Sequence, residues 1–557
     1  VIAYRELRSL EIEILKLLFP GDQPKLDVQR LSLVDVDAFY GIEISEWPVR
    51  IAEVAMWLMD HQMNIRLSEA FGQYFVRLPL KRSPTVVCGN ALRLGWREIL
   101  PPDKCSFILG NPPFVGKKVR KADQQVDMNM VFGDMKGTGV LDYVCSWYLR
   151  AAQYIRATQI KVGFVSTNSV TQGEQPGILW PVLFSSFNIK IHFAHRTFAW
   201  ESEARGKAHV HVVIIGFGAF DTHNKRIYDY ESESPAATVT LARNISPYLI
   251  EGGDIILQNR EHPISQVPEM QFGNMPNDGG NLLLSDEEKE ELLRNEPEVR
   301  PFVRPLLSAQ EYLHGQNRWC LWLKGVSPKG IRNIDEIHRR VEAVRAYRSA
   351  SRREATQRLA DYPALFGGIR QPTGRFVLVP RHSSETRRYI PLSYFEPTYI
   401  VSDSCLLLPD ATRFHFGVLS STMHMAWMRQ VCGRLESRYR YSNKLVYNNF
   451  PWPEAPTAKQ RSTVEAAAQA VLDARKRFPD ATLADLYDPL AIPPALVKAH
   501  AKLDRAVDLC YRPQPFQNDR QRVEHLFVLY EKLTAPLIPS VRKGRPRQRS
   551  GQGTARL

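Results

Sequence analysis

Along the first 220 residues, apolar positions switch repeatedly between the helical and the strand period. Ile2, Leu7, Leu10, Ile14, Leu17 and Leu18 fall at helical spacing and predict a helix over Val1–Leu18. Residues 36–42 (VDAFYGI) read as a strand. Ser45 then caps a helix whose face runs through Trp47, Ile51, Val54, Ala55, Leu58 and Met59. Further strands are expected at Thr85–Gly89, Cys105–Leu109, Val162–Ser166, Ile189–Phe193 and Val210–Phe217, with helices near 141–157 and 175–187. This alternation predicts an α/β domain over 1–221, a mostly parallel sheet with helices on both faces. In such a sheet, ligands bind outside the carboxyl ends of the strands.

After residue 221 the pattern breaks. Residues 222–300 read as a connector rich in Pro, Gly and Asn, with the acidic run SDEEKEELLRNEPE as a solvated helix. Residues 301–455 mix short aromatic strands with a basic helix around 334–359, an α+β domain. From 456 to 540 the chain reads as helical, on three apolar faces. Val464, Ala468, Val471, Leu472 and Phe478 mark the first, and Leu496, His500, Leu503, Val507 and Cys510 the second. Val523, Leu526, Phe527, Tyr530 and Leu533 mark the third. The tail 541–557 is basic, low in complexity and expected to be disordered. No internal repeat is visible.

Composition sharpens this picture. With 557 residues, 44% apolar and 24% charged, the chain is globular and too long for one core. No run of 18 apolar residues exists, which excludes a membrane-spanning helix. The seven cysteines form no CxxC pair, which points to a reducing compartment, the cytoplasm, and away from a zinc ribbon. The net charge of +14 is uneven: residues 1–300 carry −5, whereas residues 301–450 carry +12. A basic region interleaved with Tyr, Phe and Trp suits a phosphate backbone; a solvated face without a partner is the plainer alternative.

The segment with chemical content is CSFILGNPPFVGKK, residues 105–118. A short apolar strand there runs into Asn111, Pro112, Pro113 and Phe114. An exocyclic amino group on a base is a poor nucleophile because its lone pair is delocalised into the ring. The Asn111 side-chain oxygen and the Pro112 carbonyl can accept its two hydrogens and draw the nitrogen toward sp³ geometry. Consecutive prolines hold that carbonyl rigidly, and Phe114 offers a stacking face for an extruded base. A proline-rich turn without function is the alternative for four residues taken alone. Upstream, FYGIEIS ends a strand at Glu43, beside Ile44, where a carboxylate can accept from a ribose diol. TVVCGNAL places Asn90 after another strand, where an amide can meet an adenine edge; an ordinary turn Asn is the alternative.

The order of acid, amide and NPPF resembles that of class I S-adenosylmethionine-dependent methyltransferases, whose sheet is Rossmann-like. More specifically, the chain resembles the MmeI-like (type IIL restriction–modification) DNA methyltransferases, which modify the amino group of adenine. The blocks carrying this resemblance are GNPPFVGKK, GTGVLDYV, VSTNSVTQGEQ, FAHRTFAWESEARGKA, SRYRYSNKLVYNNFPWP and LADLYDPLAIPPALVKAHAKLDRAVDLCYRPQPF. The resemblance implies S-adenosylmethionine as cofactor, with Glu43, Ile44 and Asn90 around it. It makes Asn111, Pro112, Pro113 and Phe114 catalytic, with Phe198 and Asp142 as further candidates. It also implies that the first strand and its Gly-rich cofactor loop precede Val1, that this chain alone binds cofactor poorly, and that a nuclease lies upstream in the same polypeptide.

With methyl transfer placed ahead of it, 301–455 becomes the reader of double-stranded DNA. Arg434, Glu436, Arg438 and Arg440 lie among tyrosines in GRLESRYRYSNKLVYNN, and Arg381, Arg387 and Arg388 in FVLVPRHSSETRR. Arg can read guanine bidentately and Glu can accept from cytosine, whereas a phosphate contact is the plainer role for each Arg. His192/His195 and His209/His211 lack a completing carboxylate or thiol, so no metal is expected. Two other readings stand beside site-specific adenine methylation. One is an RNA or protein methyltransferase with the same NPPF loop; the other is a catalytically silent DNA-binding subunit.

Overall fold

The computed structural model describes residues 1–19, 32–72, 83–200, 210–230, 237–435 and 437–535. Two compact units emerge. The first comprises Val1–Val170, Ile178–Phe198 and Val212–Leu241; the second comprises Thr171–Gly177, Ala199–His211 and Ala242–Leu557.

The first unit opens with helices α1 (Ile2–Leu18) and α2 (Glu46–Phe71). Their packing reverses the expectation from periodicity. Tyr4, Ile12 and Leu15 bury against Met56, Met63 and Leu67, while Leu10, Leu17, Trp47 and Leu58 are exposed. The buried stripes carry polar pairs that an apolar count passes over. Tyr4 donates to Asp60 at 2.5 Å and Arg8 Nη2 donates to Asn64 at 2.8 Å, all four side chains being buried.

Strands β1 (Tyr40–Glu43) and β2 (Thr85–Cys88) form a parallel pair in which Glu43 faces Cys88. A six-stranded sheet contains β3 (Phe107–Gly110), β4 (Lys161–Thr167), β5 (Lys190–Trp200), β6 (Val210–Gly218), β7 (Lys225–Asp229) and β8 (Thr238–Ala242), in the order β3-β4-β6-β5-β7-β8. β3 runs parallel to β4 and β5 to β7, whereas β6 is antiparallel to β4. The sheet thus continues past residue 221 into what reads, by composition, as a connector. Short strands there pair despite the polar loops around them. Helices α3 (Ala122–Phe132) and α4 (Cys145–Tyr154) lie between β3 and β4 in the chain and pack against each other. From α4, Arg150 Nη2 donates to the Leu94 carbonyl at 2.7 Å and Tyr154 OH to the Leu100 carbonyl at 2.6 Å, tying the turn after β2 to the sheet. Tyr148 stacks on Phe217 and meets Phe164 edge-on, and all three rings are buried.

The second unit begins earlier than residue 301. Gln271–Phe272 (β9) pairs with Cys405–Pro409 (β17) in a sheet completed by Phe376–Pro380 (β13) and Ser393–Phe395 (β15). Leu283–Leu284 (β10) pairs with Trp319–Leu321 (β12) in one completed by Val303–Leu307 (β11) and Ile400–Val401 (β16), so residues 271–284 belong to its sheets. The acidic run forms the helix Asp286–Asn295, capped by Ser285, whose hydroxyl accepts from Glu288 N at 3.2 Å. The expected basic helix ends at Ser349 (α5, Asp335–Ser349), with Glu354–Gln357 as a separate turn. Near the end of α5, Arg348 is fully buried among five backbone carbonyls. Helix α6 (Thr422–Val431) precedes α7 (Ala458–Lys476), α8 (Pro494–Tyr511) and α9 (Asp519–Thr534). Here the predicted faces do form the core: Val464, Ala468 and Val471 pack with Leu496, Leu503, Val507, Leu526 and Phe527.

Candidate active site and nucleic-acid interface

Asn111 follows the last residue of β3, at the carboxyl end of its strand, beside the end of β4. Gly110 is the register partner of Phe164, and a Cβ there would lie 3.0 Å from the Phe164 ring, tight enough that the ring or the strand would have to shift by a few tenths of an ångström. Asn111 is exposed, and its side chain makes no hydrogen bond among the described residues. Pro112 is buried and Phe114 half-buried. The loop is held from behind. Val115 N donates to the Pro113 carbonyl at 3.2 Å, and the Val115 carbonyl accepts from Tyr143 N at 2.9 Å. Asp142 accepts from Thr167 Oγ1 at 3.2 Å, and a Cβ on Gly116 would meet its Oδ1 at 3.6 Å. Asp142 therefore sits between the loop after β3 and the end of β4.

Glu43 and Asn90 lie at the ends of the paired strands β1 and β2. Glu43 Oε1 accepts from Ile44 N at 2.9 Å, and the Ile44 side chain is exposed. The Asn90 amide is more committed than sequence suggests. Its oxygen accepts from Leu92 N at 2.9 Å and its Nδ2 donates to Asp127 at 2.9 Å. One N–H and one lone pair remain for a ligand. Phe198 lies 4.8 Å from the Tyr230 ring. His195 stacks on Tyr228 at 4.2 Å, and His192 bonds the Phe220 carbonyl at 2.9 Å. Among the described residues, no three His, Cys, Asp or Glu side chains gather as a metal would need. His209 lies outside the described residues.

In the second unit, a three-stranded sheet joins β14 (His382–Ser383), β18 (Gly433–Leu435) and β19 (Arg438–Arg440), with β19 central. The strand period separates its side chains: Tyr439 is buried, while Arg438 and Arg440 are exposed. His382 pairs with Arg440 in register. Burial lowers the pKa of its imidazole, and the charges of Arg381, Arg440 and Arg438 lower it further. A concentrated positive field therefore lies on this face.

Arg434 and Arg381, two of the other predicted readers, are tied down through their side chains. Arg434 donates to Glu385 at 2.8 Å and lies over the Tyr439 ring at 4.5 Å, and Arg381 donates to the Asp403 carbonyl at 2.8 Å over Phe272. Arg387 and Arg388 accept from Arg429 of α6 through their backbone carbonyls, which leaves their guanidinium groups out of that contact. Glu436 and the basic tail lie outside the described residues.

Comparison with known proteins decides the family. Residues 1–229 match the MmeI DNA-methyltransferase domain, 251–454 the MmeI target recognition domain and 456–538 the MmeI C-terminal domain. The solved structure of the type IIL restriction–modification enzyme MmeI in complex with DNA is 47% identical and superposes with a TM-score of 0.81, over 96% of this chain and 71% of that one. The chain belongs to the MmeI family. DNA methyltransferase A of Bacillus subtilis (strain 168) is 38% identical over 538 residues, and the chain spans 60% of that relative's length.

Within the MmeI-type methyltransferase domain, sequence reasoning missed Asp127 and Tyr143. Asp127 lies outside every motif in a segment whose apolar pattern is weak, and Tyr143, although within GTGVLDYV, carries nothing in the sequence that singles out its hydroxyl. In the target recognition domain it missed Arg348, which reads as one more charge in a basic helix. No single-sequence signal distinguishes a buried arginine from a solvated one.

Proposed function

We propose that the protein methylates the exocyclic amino group of adenine in double-stranded DNA, using S-adenosylmethionine, as part of a cytoplasmic restriction–modification system. The observation that carries this reading is the Asn111 side chain, exposed and uncommitted at the carboxyl end of β3 and followed by two prolines that hold a rigid loop. The residues suit the cofactor. Glu43 keeps one carboxylate oxygen for a ribose diol, Ile44 offers an exposed apolar side chain, and Asn90 keeps one donor and one acceptor for an adenine edge.

When bound, S-adenosylmethionine supplies an electrophilic methyl group. The chain's own residues prepare the nucleophile. Asn111 Oδ1 and the Pro112 carbonyl accept the two amino hydrogens, localising the nitrogen lone pair, and Phe114 stacks on the flipped base. The proton held at Asn111 Oδ1 passes to solvent once the N–C bond has formed. No cysteine nucleophile is needed, because the amino nitrogen itself attacks.

On the recognition side, Arg438 and Arg440 present groups to base edges, and Glu436, two residues before Arg438 in the sequence, is the acceptor for cytosine. Arg434 and Arg381 shape that face, and Arg387 and Arg388 serve phosphates. Transfer of tritiated methyl groups to duplex DNA, with mass spectrometry of the nucleosides, tests the proposal. N6-methyladenine formed by the wild type and lost by about 10²–10³-fold in Asn111→Ala is expected on the loss of a preorganised hydrogen-bonding group. Retained labelling by the variant overturns it.

A further inference from the structure

Three groups end on one carboxylate, two from the turn after β2 and one from the segment just before α4. Asp127 Oδ2 accepts from Asn90 Nδ2 at 2.9 Å and from Tyr143 OH at 2.6 Å, and Oδ1 accepts from Arg93 Nε at 2.6 Å. Asp127 is 2% exposed, on a helix whose neighbouring Val126 and Met130 face outward. Burial alone favours the protonated acid. Here the hydrogen bonds from Tyr143, Arg93 and Asn90 outweigh it and hold the pKa below the ordinary value. The chain of bonds continues in both directions. Asn90 Oδ1 accepts from Leu92 N at 2.9 Å, and Tyr143 N donates to the Val115 carbonyl at 2.9 Å, one residue beyond Phe114.

We infer that Asp127 is a positioning residue for methyl transfer, setting the amide of Asn90 after β2 and, through Tyr143, the Asn111–Phe114 loop after β3. This rests on the roles proposed above for Asn90 and for that loop. The carboxylate decides which way the Asn90 amide faces. With Nδ2 held by Asp127 and Oδ1 by Leu92 N, the remaining N–H and lone pair have one orientation, as recognition of an adenine edge requires. A single acceptor thereby links the cofactor side to the amino-group side, so both shift together when it fails.

The test uses reciprocal exchange. Asp127→Asn removes the charge and leaves one acceptor oxygen where three donors converge, and Asn90→Asp sets two carboxylates 2.9 Å apart. The double variant Asn90→Asp/Asp127→Asn restores a donor–acceptor pair with reversed polarity and keeps one negative charge near Arg93. Hydrogen exchange of the cofactor-free protein supplies the first readout. The Leu92 and Tyr143 amides should exchange at least tenfold faster in each single variant and return to within threefold in the double, with α8 amides unchanged. Kinetics supply the second. Asp127→Asn should raise KM for S-adenosylmethionine and lower kcat, each about tenfold, with recovery in the double. Tyr143→Phe, which cuts only the link toward the loop, should lower kcat and leave KM within twofold. Unchanged exchange and kinetics in Asp127→Asn, or a double variant no better than the singles, would overturn the inference. Persistent methylation by Asn111→Ala would instead overturn the functional reading and leave the exchange results standing.

Discussion

Arg348 offers the sharpest test of how the target recognition domain is held together. Its guanidinium donates to the carbonyls of Pro276 (3.1 Å), Asn277 (2.9 Å), Leu359 (3.0 Å), Tyr362 (2.9 Å) and Leu365 (2.7 Å). One side chain thus gathers two loops onto the end of α5. Replacement by Met keeps an unbranched stem of similar length and removes every donor. Five buried carbonyls left bare would cost about 1–3 kcal/mol each, an upper bound of roughly 5–15 kcal/mol. Against this, the variant no longer buries a charge, which recovers several kcal/mol, and water entering the gap satisfies part of the rest. Burial lowers the arginine's pKa, showing the same desolvation cost at work, while Asp278 offsets part of it. The balance predicts a loss of about 3–5 kcal/mol for Arg348→Met. Arg348→Lys, charged but without the planar fork, should lose about half as much. Urea unfolding at pH 7 followed by far-UV circular dichroism measures both. A Met variant within about 1 kcal/mol of wild type would show that desolvation cancels the five bonds, and the reasoning would fail.

Further expectations follow from the same geometry. His424 is fully buried, and burial lowers its pKa to about 3 from the 6.5 of an unfolded chain. Above pH 6.5 neither state binds the proton, and below it only the unfolded state does. Stability is therefore full at neutral pH and falls as acid is added, by about 2 kcal/mol at pH 5 from this residue, with buried His500 acting in the same direction. Equal denaturation midpoints at pH 7.5 and 5 would contradict this. In Gly110→Ala the new methyl meets Phe164, which Tyr148 and Phe217 hold in place, so β3 must move. Methyl transfer should slow by about 10–100-fold with a stability loss of about 1–3 kcal/mol; wild-type rates would show that the loop tolerates the shift. For Arg440→Ala, a base contact predicts a changed methylation site and about 1–3 kcal/mol of lost affinity. A phosphate contact predicts uniform weakening and a salt slope smaller by about one. Methylome sequencing and binding at several salt concentrations separate the two, and no effect on either would remove Arg440 from the interface.

Legibility in the sequence followed the physical simplicity of each feature. Helices α7 to α9 are apolar on one side and polar on the other, so period alone locates their core. In α1 and α2 the buried stripe includes Arg8, Asp60 and Asn64, and the same rule selected the opposite face. The Asn111–Phe114 loop could be proposed from sequence because the chemistry assigned to it sits in consecutive residues. The support behind it, running from Asn90 through Asp127 to Tyr143 and Val115, joins positions up to 37 residues apart along single hydrogen bonds. No local pattern encodes such a path. The arginines around β19 show the same limit: their identity was legible, but which of them the fold spends internally depends on pairing across three strands.

The alternation on β19 also bears on how such a protein can change over time. Tyr439 inside belongs to the core, while Arg438 and Arg440 outside touch it little. With the recognition role proposed for Arg438 and Arg440, stability and recognition are written on alternate letters of a three-residue word. Substitutions at the outer positions can sample new DNA partners with the core left intact, so drift in target preference need not pass through poorly folded intermediates.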